Sequence, residues 1–149
     1  MYKKILLPTD GSKNSYKAIK HAYEIAKDED AEILVLNVVD SKHLTSLPED
    51  ALTDEALSVF EKQSEVVTER VVKQIEEIDS DFATKVSTLS VEGNPVEAIL
   101  KVSEKKDIDL IVIASSGKHM LDRFLLGSVT EKTIRYSKVP VLVIPTTKK

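Results

Sequence analysis

The sequence predicts an α/β fold: one open, twisted, five-stranded parallel sheet with helices on both faces. Three observations predict it. Short β-branched runs alternate with segments of helical period from one end of the chain to the other. The best of those runs are apolar at every position, not at every second one, which is the pattern of strands buried on both faces. No linker, repeat or shift in composition divides the chain, so residues 1–149 read as one domain. Strand–helix–strand crossovers in succession build a parallel sheet.

Lys3 to Pro8 is the first strand, centred on Ile5, Leu6 and Leu7, and Pro8 suits its exit because it cannot donate to a ladder. Thr9-Asp10-Gly11-Ser12 is a turn, with Ser12 or Asn14 as the cap of a helix whose apolar face is Ala18, Ile19, Ala22, Ile25 and Ala26. Asp28 to Asp30 ends that helix. Glu32 to Val39 is the second strand, and Asp40 to Thr53 a long patternless loop. A long helix follows from about Thr53, with Leu57, Phe60, Val67, Val71, Ile75 and Ile78 stepping by three or four and Ser64 interrupting them. It reads as a helix laid across a sheet, not a coiled coil. Phe82 to Val91 alternates only in part and is expected at a sheet edge. Gly93-Asn94-Pro95-Val96-Glu97 combines a turn glycine, a cap, proline at the first helical position and a first-turn acid. Val96, Ile99, Leu100 and Val102 form the buried face of the helix it starts, which ends by Lys105-Lys106.

The last third reads strand, loop, helix, strand: Asp109 to Ala114, then Gly117 to Gly127-Ser128, then Val129 to Arg135, then Val141-Leu142-Val143-Ile144. This presents a helix N-terminus just beyond a strand's carboxyl end, where unpaired amides and the helix dipole favour an anion such as phosphate. Gly127 and Ser128 also admit a plainer reading, a turn glycine and a helix cap, because Ser128 with Glu131 matches a capping box. Asp10 admits one too, since Asp in such a turn bonds its own backbone.

Composition narrows the rest. The formal charge is −4 and basic residues form no readable stripe, which argues against a nucleic-acid groove. There is no cysteine, hence no disulfide or thiolate zinc site. No segment has the length and apolarity of a membrane span or a signal-peptide core, so a cytoplasmic protein is expected. His21, His43 and His119 lie far apart without metal-ligand spacing or a nucleophile partner, and the P-loop pattern is absent. No catalytic set is assigned.

Ala114, Gly117, Gly127 and Ser128 lie at the spacing G-x2-G-x9-G-[S/T], with alanine at the first glycine. That pattern resembles the nucleotide motif of the universal stress protein family. Ile5 to Ser12, Gly93-Asn94-Pro95 and Pro140 to Ile144 sit where that family has them, so the resemblance covers essentially the whole chain. It implies the strand order 3-2-1-4-5, which places strands one and four side by side where the winding reverses and ligands bind. It further implies ATP, with Mg2+ through its phosphates and Asp10, in a site of Pro8, Thr9, Asp10, Val38, Ile113, Ala114, Gly117, Gly127, Ser128, Val129 and Thr130. The amides of residues 127–130 and the Ser128 hydroxyl would hold the phosphates, and the Val38 backbone would meet the adenine edge. Lys118, His119 and Arg123 are the loop cations that could neutralise phosphate charge.

Alanine at position 114 leaves two outcomes open. If the position serves only close approach, a methyl group is tolerated. If it needs positive φ, alanine costs about 1 kcal/mol and shifts the loop. Weakened binding is the expectation. The resemblance also implies a homodimer through Val141, Leu142, Val143 and Ile144, an apolar strand at a sheet edge. It implies a nucleotide-dependent sensor or regulator, with a dimeric interaction module that binds no nucleotide as the alternative and a slow ATPase as the less favoured one.

Overall fold

A computed structural model of the chain describes residues 1–42, 47–51, 53–116 and 126–146. Five strands form one parallel sheet in the order β3-β2-β1-β4-β5. They are β1 (Lys4–Pro8), β2 (Glu32–Asp40), β3 (Val86–Gly93), β4 (Leu110–Ala114) and β5 (Val141–Ile144). The helices between them are α1 (Lys13–Glu29), α2 (Asp54–Ile78), α3 (Pro95–Lys105) and α4 (Ser128–Tyr136). The expected fold class and strand order are both found.

Alternation along the strands sorts side chains onto two faces. Ile5, Leu7, Ile33, Val35, Leu110 and Val112 meet Ala18, Ile19, Ala22 and Ala26 of α1 and Val71 and Ile75 of α2. Leu6, Leu36, Ile111 and Ile113 turn the other way, onto Ile99 and Val102 of α3, with Val129 of α4 packed alongside. Small alanines on α1, Ala18, Ala22 and Ala26, let that helix lie close against the sheet, and all three are fully buried.

The caps follow the local chemistry. The Ser12 hydroxyl accepts from the Ser15 amide at the start of α1, Thr53 accepts from Ala56 at α2, and Asn94 accepts from Glu97 at α3. Asp30 closes α1 in the left-handed conformation, its amide donating to the carbonyls of Ala26 and Lys27.

Two stretches differ from the sequence reading. The third strand begins at Val86, because Phe82–Lys85 forms a 3-10 turn started by the Asp79 carboxylate, which accepts from the Phe82 amide at 3.2 Å. That turn sends the Phe82 ring into the core, edge-on to Tyr23 with centroids 5.2 Å apart. On α2, Ser64 and Thr68 are buried whereas Phe60 and Val67 are only half-buried and Ile78 is exposed. Only the C-terminal half of α2 seals the core. Its N-terminal half walls an opening, described below.

Asp79 ties the end of α2 to α1. Lys27 donates to it at 2.7 Å and the Tyr23 hydroxyl at 2.8 Å, and these bonds, with the Phe82 amide, pull its pKa from 3.8 to about 2. A depressed carboxylate contributes stability that is full above its unfolded pKa and is lost as pH falls through the folded value. Asp79→Asn should therefore flatten the loss of stability between about pH 4 and 2, measured as urea midpoints across that range.

Candidate functional site

Beyond the carboxyl ends of β1, β2 and β4 lies a cleft of about 560 Å3. Pro8, Thr9 and Asp10 line it from the end of β1, Val38 from β2, Ile113 and Ala114 from β4, and Gly127, Ser128, Val129 and Thr130 from the start of α4. Four segments remote in sequence thus converge where the winding reverses. Gly117, Lys118, His119 and Arg123 lie outside the described residues. A smaller recess of about 250 Å3 lies near Lys4, Glu32 and Lys106, at the opposite end of the strands.

The start of α4 differs in one respect from the capping box that its sequence suggests. Gly127, not Ser128, is the N-cap, with extended backbone (φ −62°, ψ 149°) and no side chain to offer. Ser128 is the first helical residue, so its hydroxyl cannot close the box with Glu131. The Gly127 amide is also committed, donating to the Ser115 carbonyl at 2.8 Å, while its carbonyl accepts from Glu131 at 2.9 Å. Of the four amides at residues 127–130, the first is therefore spent on protein. The amides of Ser128, Val129 and Thr130 precede the first intrahelical donor, Glu131, and take no partner among the described residues. The Thr130 hydroxyl turns inward, donating to the Ala114 carbonyl at 2.8 Å, which pins the helix start to the end of β4.

Ala114 itself is the last residue of β4, extended, buried and paired with Ile144. Its backbone needs no positive φ, and the alanine costs nothing in strain. The turn after β1 is more demanding. Asp10 accepts from the Ser12 amide at 3.0 Å, the Thr9 hydroxyl accepts from the Gly11 amide at 3.2 Å, and Thr9 shares a 2.7 Å bond with the Ser15 hydroxyl. Gly11 lies at φ +82°, and a Cβ there would stand 3.0 Å from the Val67 side chain on α2.

Residues that the sequence reading did not assign to the site complete the walls. Phe60, Gln63, Ser64 and Val67 line the α2 side, and Pro95 and Ile99 the α3 side. Asn37, the one polar residue within the run from Ile33 to Val39, is buried. It donates to the Thr9 carbonyl at 2.8 Å and accepts from the Ser64 hydroxyl at 2.6 Å. An amide in an otherwise apolar strand and a serine in a helix's apolar face were the available signals. Each is explained by the other.

Chemically, the cleft offers backbone donors at a helix N-terminus, a carboxylate at Asp10 and apolar walls. That set suits an anionic group joined to a flat, partly apolar one. Among the described residues no group of three or more His, Asp or Glu is placed to hold a metal ion, so a cation would need ligand oxygens as well. No helix among them is long and apolar enough to cross a membrane.

Comparison with known proteins bears on the family and the fold. The model of the universal stress protein family matches residues 1–145. Universal stress protein MJ0531 of Methanocaldococcus jannaschii is 40% identical over 149 residues, covering 100% of this chain and 85% of the relative. The solved structure of MJ0577 superposes with a TM-score of 0.82 at 35% identity, covering 97% of this chain and 96% of that one. A universal stress protein solved in complex with cAMP shares the fold at a TM-score of 0.66 and 22% identity, with 98% of each chain covered.

Gly11→Ala should lower stability by about 1–2 kcal/mol through its left-handed backbone alone. Urea denaturation measures this, and Val67→Ala should recover only the smaller, steric part of any loss beyond it.

Proposed function

This chain belongs to the universal stress protein family, and we propose that it serves there as an adenine-nucleotide-binding regulator that works as a homodimer. One observation carries the reading. Ser128, Val129 and Thr130, whose amides take no partner among the described residues, line the same cleft as Asp10 and Val38. The amides would take the phosphates, supported by the helix dipole. Proteins of this fold include one solved with cAMP, which supports an adenine nucleotide as the occupant.

Val38 suits the other end of such a ligand. Leu36 bonds the Thr9 amide through its carbonyl, so two residues on, the amide and carbonyl of Val38 point the same way, past the end of β1. A paired donor and acceptor there complement the adenine edge, while Pro8, Ile113, Ile99 and Val129 supply apolar contact. ATP is the nucleotide we assign. Mg2+ would bind through its phosphates with Asp10, offsetting charge in an acidic chain. Amides that hold phosphates without a positioned base suit binding more than turnover, so the output is a nucleotide-dependent state and not a product.

The dimer would form through β5. Bonds from Ile111 to the Pro140 carbonyl and from Ser115 to the Ile144 carbonyl show which side of β5 faces β4. Val141 and Val143 therefore present their amides and carbonyls to the open edge, and Leu142 is 37% exposed beside them.

Two measurements test these statements. Titration of nucleotide-stripped protein with Mg-ATP should give saturable binding at or below millimolar ATP, lost in Gly127→Val without loss of the dimer. No binding by the unaltered protein would overturn the nucleotide reading in favour of an interaction module. Sedimentation should show a dimer that Val143→Pro converts to monomer, since proline is tolerated at an edge but removes the outward donor.

A further inference from the structure

The Val38 edge is open for a specific reason. In a parallel ladder the bond after Thr9 amide to Leu36 carbonyl would run from the Val38 amide to the Thr9 carbonyl. That carbonyl instead accepts from the Asn37 side chain at 2.8 Å, and the Val38 amide takes no partner among the described residues. Asn37 can do this only in one orientation. The Thr9 carbonyl can only accept, so the amide nitrogen must face it; the side-chain oxygen then turns to the Ser64 hydroxyl, from which it accepts at 2.6 Å, and both ends of the amide are spent on protein. Both residues are buried, Asn37 at 7% exposure and Ser64 at 2%, so neither bond is exchanged for water at low cost.

We propose that Asn37, anchored by the Ser64 hydroxyl of α2, is the positioning residue for base recognition: it holds the Thr9 carbonyl away from the ladder and keeps the Val38 amide and carbonyl available to the ligand. This rests on the adenine-nucleotide reading. Adenine offers a ring-nitrogen acceptor beside its amino donor, matching an N–H and a C=O displayed together. Hypoxanthine reverses both groups and meets donor with donor and acceptor with acceptor. Base discrimination at this cleft is therefore a property of the Ser64–Asn37–Thr9 chain, although none of the three side chains needs to touch the base.

The test compares Mg-ATP with Mg-ITP by calorimetric titration of the full chain, well below its unfolding temperature. The unaltered protein should prefer ATP by at least about tenfold. Ser64→Ala should weaken ATP roughly fivefold to tenfold and ITP much less, shrinking the preference, while Ser64→Thr, which keeps the hydroxyl, should restore it. Asn37→Asp removes the donor to Thr9 and should abolish the preference if it folds. Ser64→Ala carries the test if it does not. A preference unchanged in Ser64→Ala, even with a lower melting temperature, would reduce the chain to a structural role and overturn the proposal. Equal binding of ATP and ITP by the unaltered protein would overturn it while leaving the nucleotide reading intact. Binding of neither would overturn both.

Discussion

Pro8 has no amide hydrogen, and β1 is the central strand of the sheet. Pairing of β1 with β4 covers only Ile5↔Leu110 and Leu6↔Ile111, and the next donor on that side would be residue 8. The two strands part there, while β4 continues to Ala114 and β2 to Asp40. Each neighbour is left with an inner edge that no longer has a partner strand. On β4 that edge includes the Ala114 carbonyl, which the Thr130 hydroxyl then takes, drawing the first turn of α4 into the split. On β2 it includes the amide and carbonyl of Val38. Pro8 thus ends the pairing of β1 with β4, and on the other side the Thr9 carbonyl, held by Asn37, ends the pairing of β1 with β2; the cleft lies between.

Much of this was legible in the chain. The apolar runs, the caps at Ser12, Thr53 and Asn94, and the end of β1 at Pro8 follow from local rules that operate within a few residues. The order of the strands does not, because alternating strands and helices are compatible with several windings. Here the motif spacing between Ala114 and Ser128 and the matching turns of a known family supplied what periodicity could not. The capping box is instructive in a different way. Ser128 and Glu131 satisfy it by spacing, yet the bond from Gly127 to the Ser115 carbonyl starts the helix one residue earlier. A tertiary contact outweighed a local preference worth about 1 kcal/mol.

Ser64 and Asn37 were illegible for a deeper reason. Each looks like an error in its own element, a polar residue on a face that should be apolar. A buried amide or hydroxyl is costly alone and tolerable once paired, so the meaning of either lies in a partner 27 residues away. Half-burial of Phe60 and Val67 follows from the same arrangement. The first half of α2 is held over the cleft by a hydrogen bond, and the second half by the packing of Val71 and Ile75.

The end of the chain shows how the cleft and the open edge of the sheet are joined. Thr146, two residues past β5, is buried, and its hydroxyl lies 2.7 Å from that of Ser116 and 3.0 Å from that of Ser115. Its amide donates to the Ser115 hydroxyl, and its carbonyl accepts from Lys17 of α1. Ser115 in turn bonds the Ile144 carbonyl through its amide and the Gly127 amide through its carbonyl. The residue that follows β4 therefore touches both the edge strand and the cap of the helix whose amides face the cleft. A displacement of β5 would have to break these bonds or carry Ser115, and with it Gly127, along. Edge and cleft therefore share one short piece of backbone, Ser115, whose amide and carbonyl fix the end of β5 and the start of α4 relative to each other.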